Sequence, residues 1–516
     1  MSVTAFGESR VPVLVGVGQY TDHINSGFEG LSPQGLAARA AESALQNTKA
    51  KTNIDIDLIA AVRTVADSVA PELSALGYPF GGPDNFPRAI AQRIGAENAK
   101  MVYSHACGDA PQVLVGEMSE RIAKGELETV LLCGAEAAAT SRRAQRAGAT
   151  LDWQEKIGGQ CQDRGAGIDD LLSSEMKAHG MALAVSVYSL FEHLRRHKSG
   201  MSISEYSAVM ATLLEKYNEV GAANPFSTHP QRLSAAEICT ATASNRVVGH
   251  PYTKAMVARD AVNQAAAVVL TSVSAARRMG IPESNWVYLH GYANAAEKTV
   301  HLREDLDRSL AMELTCRASL KRSGLTVDQI MHFDLYSCFP VAVFLAMDAL
   351  GLSLDDKRAF TVTGGLPFFG GPGNNYSMHA IASMVDVLRH NPGDFGLVGS
   401  NGGYLSKYAV GIYSTRAPEK WQAHDSFQLQ AEIDALPSPD FTSQPDGKGV
   451  VESFVVLPSA QGALAGIVGR LTANNTRFFA SCFDQKIIEE RMIQQDPIGT
   501  SVMITSGDPV NHFSFI

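Results

Sequence analysis

Residues 107–137 read CGDAPQVLVGEMSERIAKGELETVLLCGAEA, and residues 375–403 read NYSMHAIASMVDVLRHNPGDFGLVGSNGG. Each stretch runs from a small-residue turn into a helical pattern. A short turn with Gly and an acidic residue follows, then an apolar run ending in Gly. A second pair shares a layout as well. ALQNTKAKTNIDIDLIAAVRTV (residues 44–65) and SLKRSGLTVDQIMHFDLYSC (residues 319–338) both give a helix, an acidic turn and a strand. A repeat of this kind predicts two similar α/β halves packed back to back.

Outward from these blocks, short apolar runs alternate with longer amphipathic stretches, as in α/β proteins. PVLVGVGQY from Pro12 predicts a buried strand. SPQGLAARAAESALQNT predicts a helix capped by Ser32 with Pro33 at its first position. DLIAAVRTV and residues 101–104 predict strands, residues 111–124 a helix stopped by Gly125, and TVLLCGAE a buried strand. Residues 138–252 differ in texture, with helices predicted at 181–197 and 204–220, and read as an insertion. The first half therefore comprises residues 1–137 and 253–285, and the second half residues 286–417. Beyond Pro418 the runs GVVESFVVLP, ALAGIVGRLT and TRFFASCF predict a small β domain over residues 418–516.

Composition narrows the function. Across 516 residues, 43 Lys and Arg face 53 Asp and Glu for a net charge of −10, so a general nucleic-acid binder, which needs a basic face, is excluded. No apolar run reaches the roughly 18 residues of a membrane span, and the N-terminus lacks the basic segment of a signal peptide. Seven cysteines, odd in number and without a CxxC pair, point to reduced thiols in a cytoplasmic protein and to no metal site.

Among those thiols Cys107 stands apart, because it sits where a strand turns into a helix. The helix dipole at such a point lowers a thiol pKa, and the turn's N–H groups can hold an oxyanion. TVTGGLPFFGGPGNNYSMHAIA (residues 361–382) bends too often for a regular element and leads into a helix carrying His379. If the halves are related by a pseudo-twofold, this turn faces Cys107 and offers the imidazole as a base; His105 is the rival base. Tyr336, Ser337 and Cys338 end a strand, and Ser400 and Asn401 leave another for the Gly402–Gly403 pair. Sites gather at such strand ends. No dinucleotide, P-loop or serine-hydrolase signature is present.

Together these blocks resemble the thiolase superfamily of acyl-CoA C-acyltransferases over roughly residues 10–417. CGDAPQ with VLLCGAEA resembles the thiolase nucleophile block, and ANPFST the Asn-Pro-Tyr-Ser stretch of sterol-carrier-type thiolases. YSCF stands where those enzymes have His-Asp-Cys-Phe, and GSNGG where many have Cys-x-Gly-Gly. TGGLPFFGGPGNN stands at the Gly-His-Pro loop, with Gly371 in place of the histidine. Tyr336 thus replaces a His or Asn, and Ser400 replaces the second catalytic cysteine. These departures and the residues after Pro418 resemble the thiolase-like type 1 subgroup, in which glycine commonly holds the nucleophile position and Asn-Asn-Tyr-x-x-His recurs. This chain combines NNYSMH with a thiolase's cysteine.

The resemblance implies a five-layered αβαβα thiolase fold with a helical insertion and the added β domain. It implies a CoA thioester as substrate with no covalently bound cofactor, and Cys107 as acyl acceptor. His379 then serves as base, Tyr336, Cys338 and Asn401 position the substrate, and Gly402 and Gly403 provide oxyanion donors. Arg142 and Arg143, with Arg146, could contact CoA phosphates. Acyl transfer to water or another nucleophile, and non-catalytic acyl-CoA binding, remain alternatives. The chain is expected as a homodimer or a monomer.

Overall fold

The computed structural model describes residues 8–23, 27–69, 79–423, 426–459 and 462–516. In chain order the first half supplies β1 (Pro12–Thr21), β2 (Leu58–Ala61), β3 (Lys100–Tyr103) and β4 (Thr129–Ala137). The inserted region adds β5 (Gln162–Asp163) and a small pair, β6 (Val247–Gly249) and β7 (Tyr252–Thr253). The first half then closes with β8 (Asn263–Ser272). The second half holds β9 (Val287–Ala296), β10 (Ile330–Leu335), β11 (Phe395–Gly402) and β12 (Lys407–Ser414).

Strand pairing makes the repeat explicit. In the first half β2 runs parallel to β4, β4 antiparallel to β8, and β8 antiparallel to β1. In the second, β10 runs parallel to β11, β11 antiparallel to β12, and β12 antiparallel to β9. Among the described residues the halves meet edge to edge through Val13–Tyr288 and Leu14–Val287 on β1 and β9. Their main union is face to face. The helices Ala110–Lys124 and Tyr376–His390 pack on each other and each touches strands of both halves. Outside lie Pro33–Asn47 against β1 and β8, and Leu310–Ser323 against β9 and β12. The result is the expected five layers.

The sandwich explains the sequence texture. β4 and β8 are buried at every position, so they read as continuous apolar runs rather than alternating ones. Ala110–Lys124 is buried over most of its circumference because sheet faces cover it from two sides. Local signals also hold. Ser32 Oγ accepts from Gly35 N at 3.3 Å, and Gly125 ends its helix at φ +76°. The inserted region also extends the sheet, because β5 pairs with the outer edge of β3.

Residues after Pro418 form the helix Ser426–Asp434 and a closed barrel of five strands, not the three visible in sequence. These are β13 (Gly447–Ser459), β14 (Gly462–Leu471), β15 (Arg477–Cys482), β16 (Ser501–Thr505) and β17 (His512–Phe515). The order β13-β14-β15-β17-β16 is a Greek key, with β16 returning beside β13. The two short closing strands alternate buried and exposed residues over four or five positions, too brief a pattern to stand out.

The barrel is seated on the rest of the chain by buried polar groups. Arg477, fully buried, holds Glu452 across the barrel and donates to the carbonyls of His301 and Glu304 at 2.9 and 3.1 Å. His179 Nε2 accepts from Asn511 N at 3.0 Å. His193 stacks on Phe454 with ring centroids 3.9 Å apart, and its Nε2 meets His250 O at 3.1 Å. Burial pushes His179 down, and brings His193 down to about 3, with Arg196 and His250 adding to it. A histidine depressed below its unfolded value near 6.5 stabilises the fold above that pH. That contribution is lost as the pH falls toward 3, by roughly 1.4 kcal/mol per pH unit for one group. We expect thermal melts from pH 7 to 5 to show falling stability, with a shallower slope in His193→Phe; an unchanged slope would remove His193 from the account.

Candidate active site

A cavity of about 770 Å3 opens where the C-terminal strand ends of both halves meet the insertion. Cys107, Tyr336, Cys338, Asn401, Gly402 and Gly403 all line it, so most of the sequence-derived set is brought together. Tyr188 and Leu171 join them from the inserted region. The volume suits a small-molecule site.

The cysteine turn is built tightly. Cys107 adopts φ +106°, a region that suits glycine and costs about 1–3 kcal/mol for other residues. Its N–H donates to Asn374 Oδ1 at 2.9 Å. Asn374 Nδ2 in turn donates to Arg63 O at 2.8 Å and Ser68 Oγ at 3.0 Å. Ser377 Oγ donates to Gly108 O at 2.6 Å. The second-half turn therefore faces the cysteine turn, as the pseudo-twofold required. Gly108 admits no side chain, since a Cβ there would lie 2.3 Å from Tyr336 Oη and 2.5 Å from Asn401 O. Gly402 is equally confined, its Cβ position lying 2.5 Å from Asp109 Oδ1 and 2.6 Å from Cys107 Cβ.

Electrostatics depart from expectation. Burial pushes the Cys107 thiol up to about 12, reinforced by Asp109 and only partly offset by Lys407. The dipole-lowered thiolate is thus corrected: desolvation dominates, and the helix itself begins only at Ala110. Burial likewise brings Cys338 up to about 11 and keeps Tyr336 neutral, well above its ordinary value. Tyr336 Oη has no hydrogen-bond partner among the described residues. Asn401 donates to Tyr188 Oη at 2.8 Å and to Cys338 Sγ at 3.6 Å, while its buried Oδ1 is unpartnered.

His379 is not in the cavity. It is fully buried on the opposite side of its helix, with Nδ1 bound to Gln19 Oε1 at 2.8 Å and the ring against Phe369. Two residues along an α-helix turn the side chain by about 200°, so with Ser377 facing Cys107, His379 must face β1. Burial takes its pKa down to about 3. His105 is exposed and packs toward Gly167, also off the wall. Gly371, where the resemblance expects a histidine, lines the cavity without a side chain.

Arg142 and Arg143 are not wall residues either. Arg142 makes a bidentate pair with Asp260, at 2.7 and 2.6 Å, and it is Asp260 that lines the cavity. Arg143 reaches Thr140 Oγ1 at 3.3 Å, and Arg146 is exposed. Ser400 is buried with an unpartnered hydroxyl and points away from the cavity, as strand alternation beside Asn401 requires. Sequence reasoning passed over Asp109 and Asn374, both within stretches already singled out. Tyr188 carried no signal, because its place depends on how the insertion folds back. Among the described residues no His, Cys, Asp and Glu group could hold a metal ion, and no helix is long and apolar enough to cross a membrane.

The layered halves and the cysteine-bearing turn define a thiolase fold. Human mitochondrial 3-ketoacyl-CoA thiolase superposes with a TM-score of 0.56 at 14% identity, covering 80% of this chain and 100% of that one. An Ltp2–ChsH2(DUF35) aldolase superposes at 0.57 and 16% identity, covering 80% and 99%. A monomeric SCP2-thiolase-like protein type 1 from Mycobacterium smegmatis matches at a TM-score of 0.83 and 37% identity, over 99% of this chain and 100% of that chain. Residues 428–508 match the thiolase-like protein type 1 additional C-terminal domain. This chain belongs to the thiolase-like protein type 1 family. An acetyl-CoA acetyltransferase IA of Candida tropicalis is 27% identical over 139 residues, so the chain spans only 32% of that relative's length.

The backbone at Cys107 gives a stability test. Cys107→Gly and Cys107→Ala both lose the thiol, but only glycine relieves the positive φ. Cys107→Gly should be the more stable of the two by about 1 kcal/mol in denaturant unfolding, and the reverse order would refute strain at this residue.

Proposed function

We propose that the cavity receives a CoA thioester and that Cys107 accepts its acyl group as a covalent intermediate. The carrying observation is the thiol's position. It lies on a strand-to-helix turn at the wall of a cavity of about 770 Å3, facing an unpartnered phenol and the Gly402–Gly403 turn. A Cβ on Gly403 would lie 3.4 Å from Cys107 Sγ, so substrate can approach the sulfur closely there. The Cys107 N–H already serves Asn374. Tyr336 Oη and the Gly403 N–H are therefore the donors proposed for the oxygen that becomes negative as sulfur attacks. Asn401 Oδ1 and Cys338 shape the far wall.

Acyl transfer to a carbon nucleophile is the first form of this reading, in line with the acetyltransferase relative. Transfer to water or another non-carbon nucleophile is the second. It is favoured because no described residue of the cavity wall is a histidine and Ser400 points away, which leaves little to handle an α-carbanion. All seven cysteines are free thiols in the structure, which supports a reducing, cytoplasmic setting.

Peptide mass spectrometry after incubation with acetyl-CoA should find an acetyl group on Cys107, and no adduct under any substrate tested would overturn the proposal. Comparing acetoacetyl-CoA cleavage with release of free CoA into water then separates the two forms. Tyr336→Phe should slow acylation on the order of 100-fold with little change in substrate binding; an unchanged rate would remove the phenol from that role.

A further inference from the structure

The acyl-transfer reading leaves the thiol without a histidine, and one carboxylate beside it is otherwise idle. Asp109 stands at the N-cap of Ala110–Lys124 yet makes no capping hydrogen bond. Among the described residues no other residue hydrogen-bonds or ion-pairs with its carboxylate, and its Oδ1 is buried and unpartnered. A buried carboxylate with so few partners is costly to keep ionised. Its surroundings are specific. The one point a Gly402 Cβ would occupy lies 2.5 Å from Asp109 Oδ1, 2.6 Å from Cys107 Cβ and 3.0 Å from Gly108 N. Only because residue 402 is glycine do the carboxylate and the cysteine share that space.

From this juxtaposition we propose that Asp109 is the proton acceptor for the Cys107 thiol. The S–H proton passes to the Asp109 carboxylate as sulfur bonds to the thioester carbonyl carbon. The carbon–sulfur bond to CoA then breaks, and the proton leaves Asp109 with the departing CoA thiolate as CoA–SH. Acyl-CoA and the thiol thus give acyl-Cys107 and CoA–SH, with nothing else consumed.

The groups that bear on Asp109 fit this role. Burial raises its pKa to about 6, countered by Lys407 at the end of β12, so it is ionised at neutral pH but close to titrating. Lys407 Nζ is anchored on Gly167 O at 2.9 Å. Cys107 and Tyr336 are the other titratable neighbours, and both are neutral there because burial raises them far above 7.

The test uses the whole chain and reads the thiol directly, by site-resolved mass spectrometry of iodoacetamide alkylation at Cys107. Alkylation should rise with pH through a limb near 6. In Asp109→Asn that limb should vanish and the rate at pH 7.5 should fall at least tenfold. Should Asp109→Asn fail to fold, Lys407→Met serves, since loss of the cation should move the limb upward in pH. A limb retained in Asp109→Asn, or unmoved in Lys407→Met, overturns the proposal. Because iodoacetamide needs no acyl-CoA, a limb that depends on Asp109 without acetyl transfer would sink the acyl-transfer reading and leave this one standing. Acetylation with an Asp109-independent limb would do the opposite.

Discussion

Two turns from opposite halves of the chain hold each other at the molecule's centre. Asn374 accepts the Cys107 N–H, and Ser377 donates to the Gly108 carbonyl. Each bond closes a polar group of one helix start with a side chain of the other, so neither turn is satisfied alone. The helices behind them lie between sheets of the two halves. The cysteine's strained backbone persists for the same reason: surrounding contacts determine it more strongly than its own preference opposes it.

From that junction the rest of the site follows. Gly108 and Gly402 let Tyr336, Asn401 and Asp109 close in on the cysteine turn, in space that any Cβ at those two positions would fill. Burial is why the thiol and the phenol stay neutral, and why the carboxylate, though ionised at neutral pH, titrates above its ordinary range. The site trades a ready-made thiolate for a neutral thiol with a desolvated carboxylate behind it. That arrangement differs from the cysteine–histidine pairing the resemblance implied.

Much of this was legible in the sequence, and the failures are physical. The two-half repeat, the insertion and the strand-end residues Tyr336, Cys338 and Asn401 came from patterns spread over many residues, which tolerate local noise. His379 failed because proximity along the chain says nothing of helical phase, and two residues beyond Ser377 put it on the far face. Arg142 failed because a basic run does not reveal that Asp260 returns to pair with it. The closing strands of the barrel are too short to show a period. Asp109 was in view but silent, since an aspartate before a helix ordinarily reads as a cap, whereas in the folded chain it makes no capping hydrogen bond.

The two residues Gln162 and Asp163 carry a consequence beyond the first half's sheet. A parallel strand such as β3 that ended the sheet bare would present its amide ladder to any passing chain. Here the polypeptide lays its own segment along that margin, at Val102 and Tyr103, after having left the sheet to build the insertion. The segment that supplies Leu171 and Tyr188 to the cavity is thus tethered at the same margin it shields. One inserted region thus both lines the margin of the first half's sheet and helps to shape the pocket.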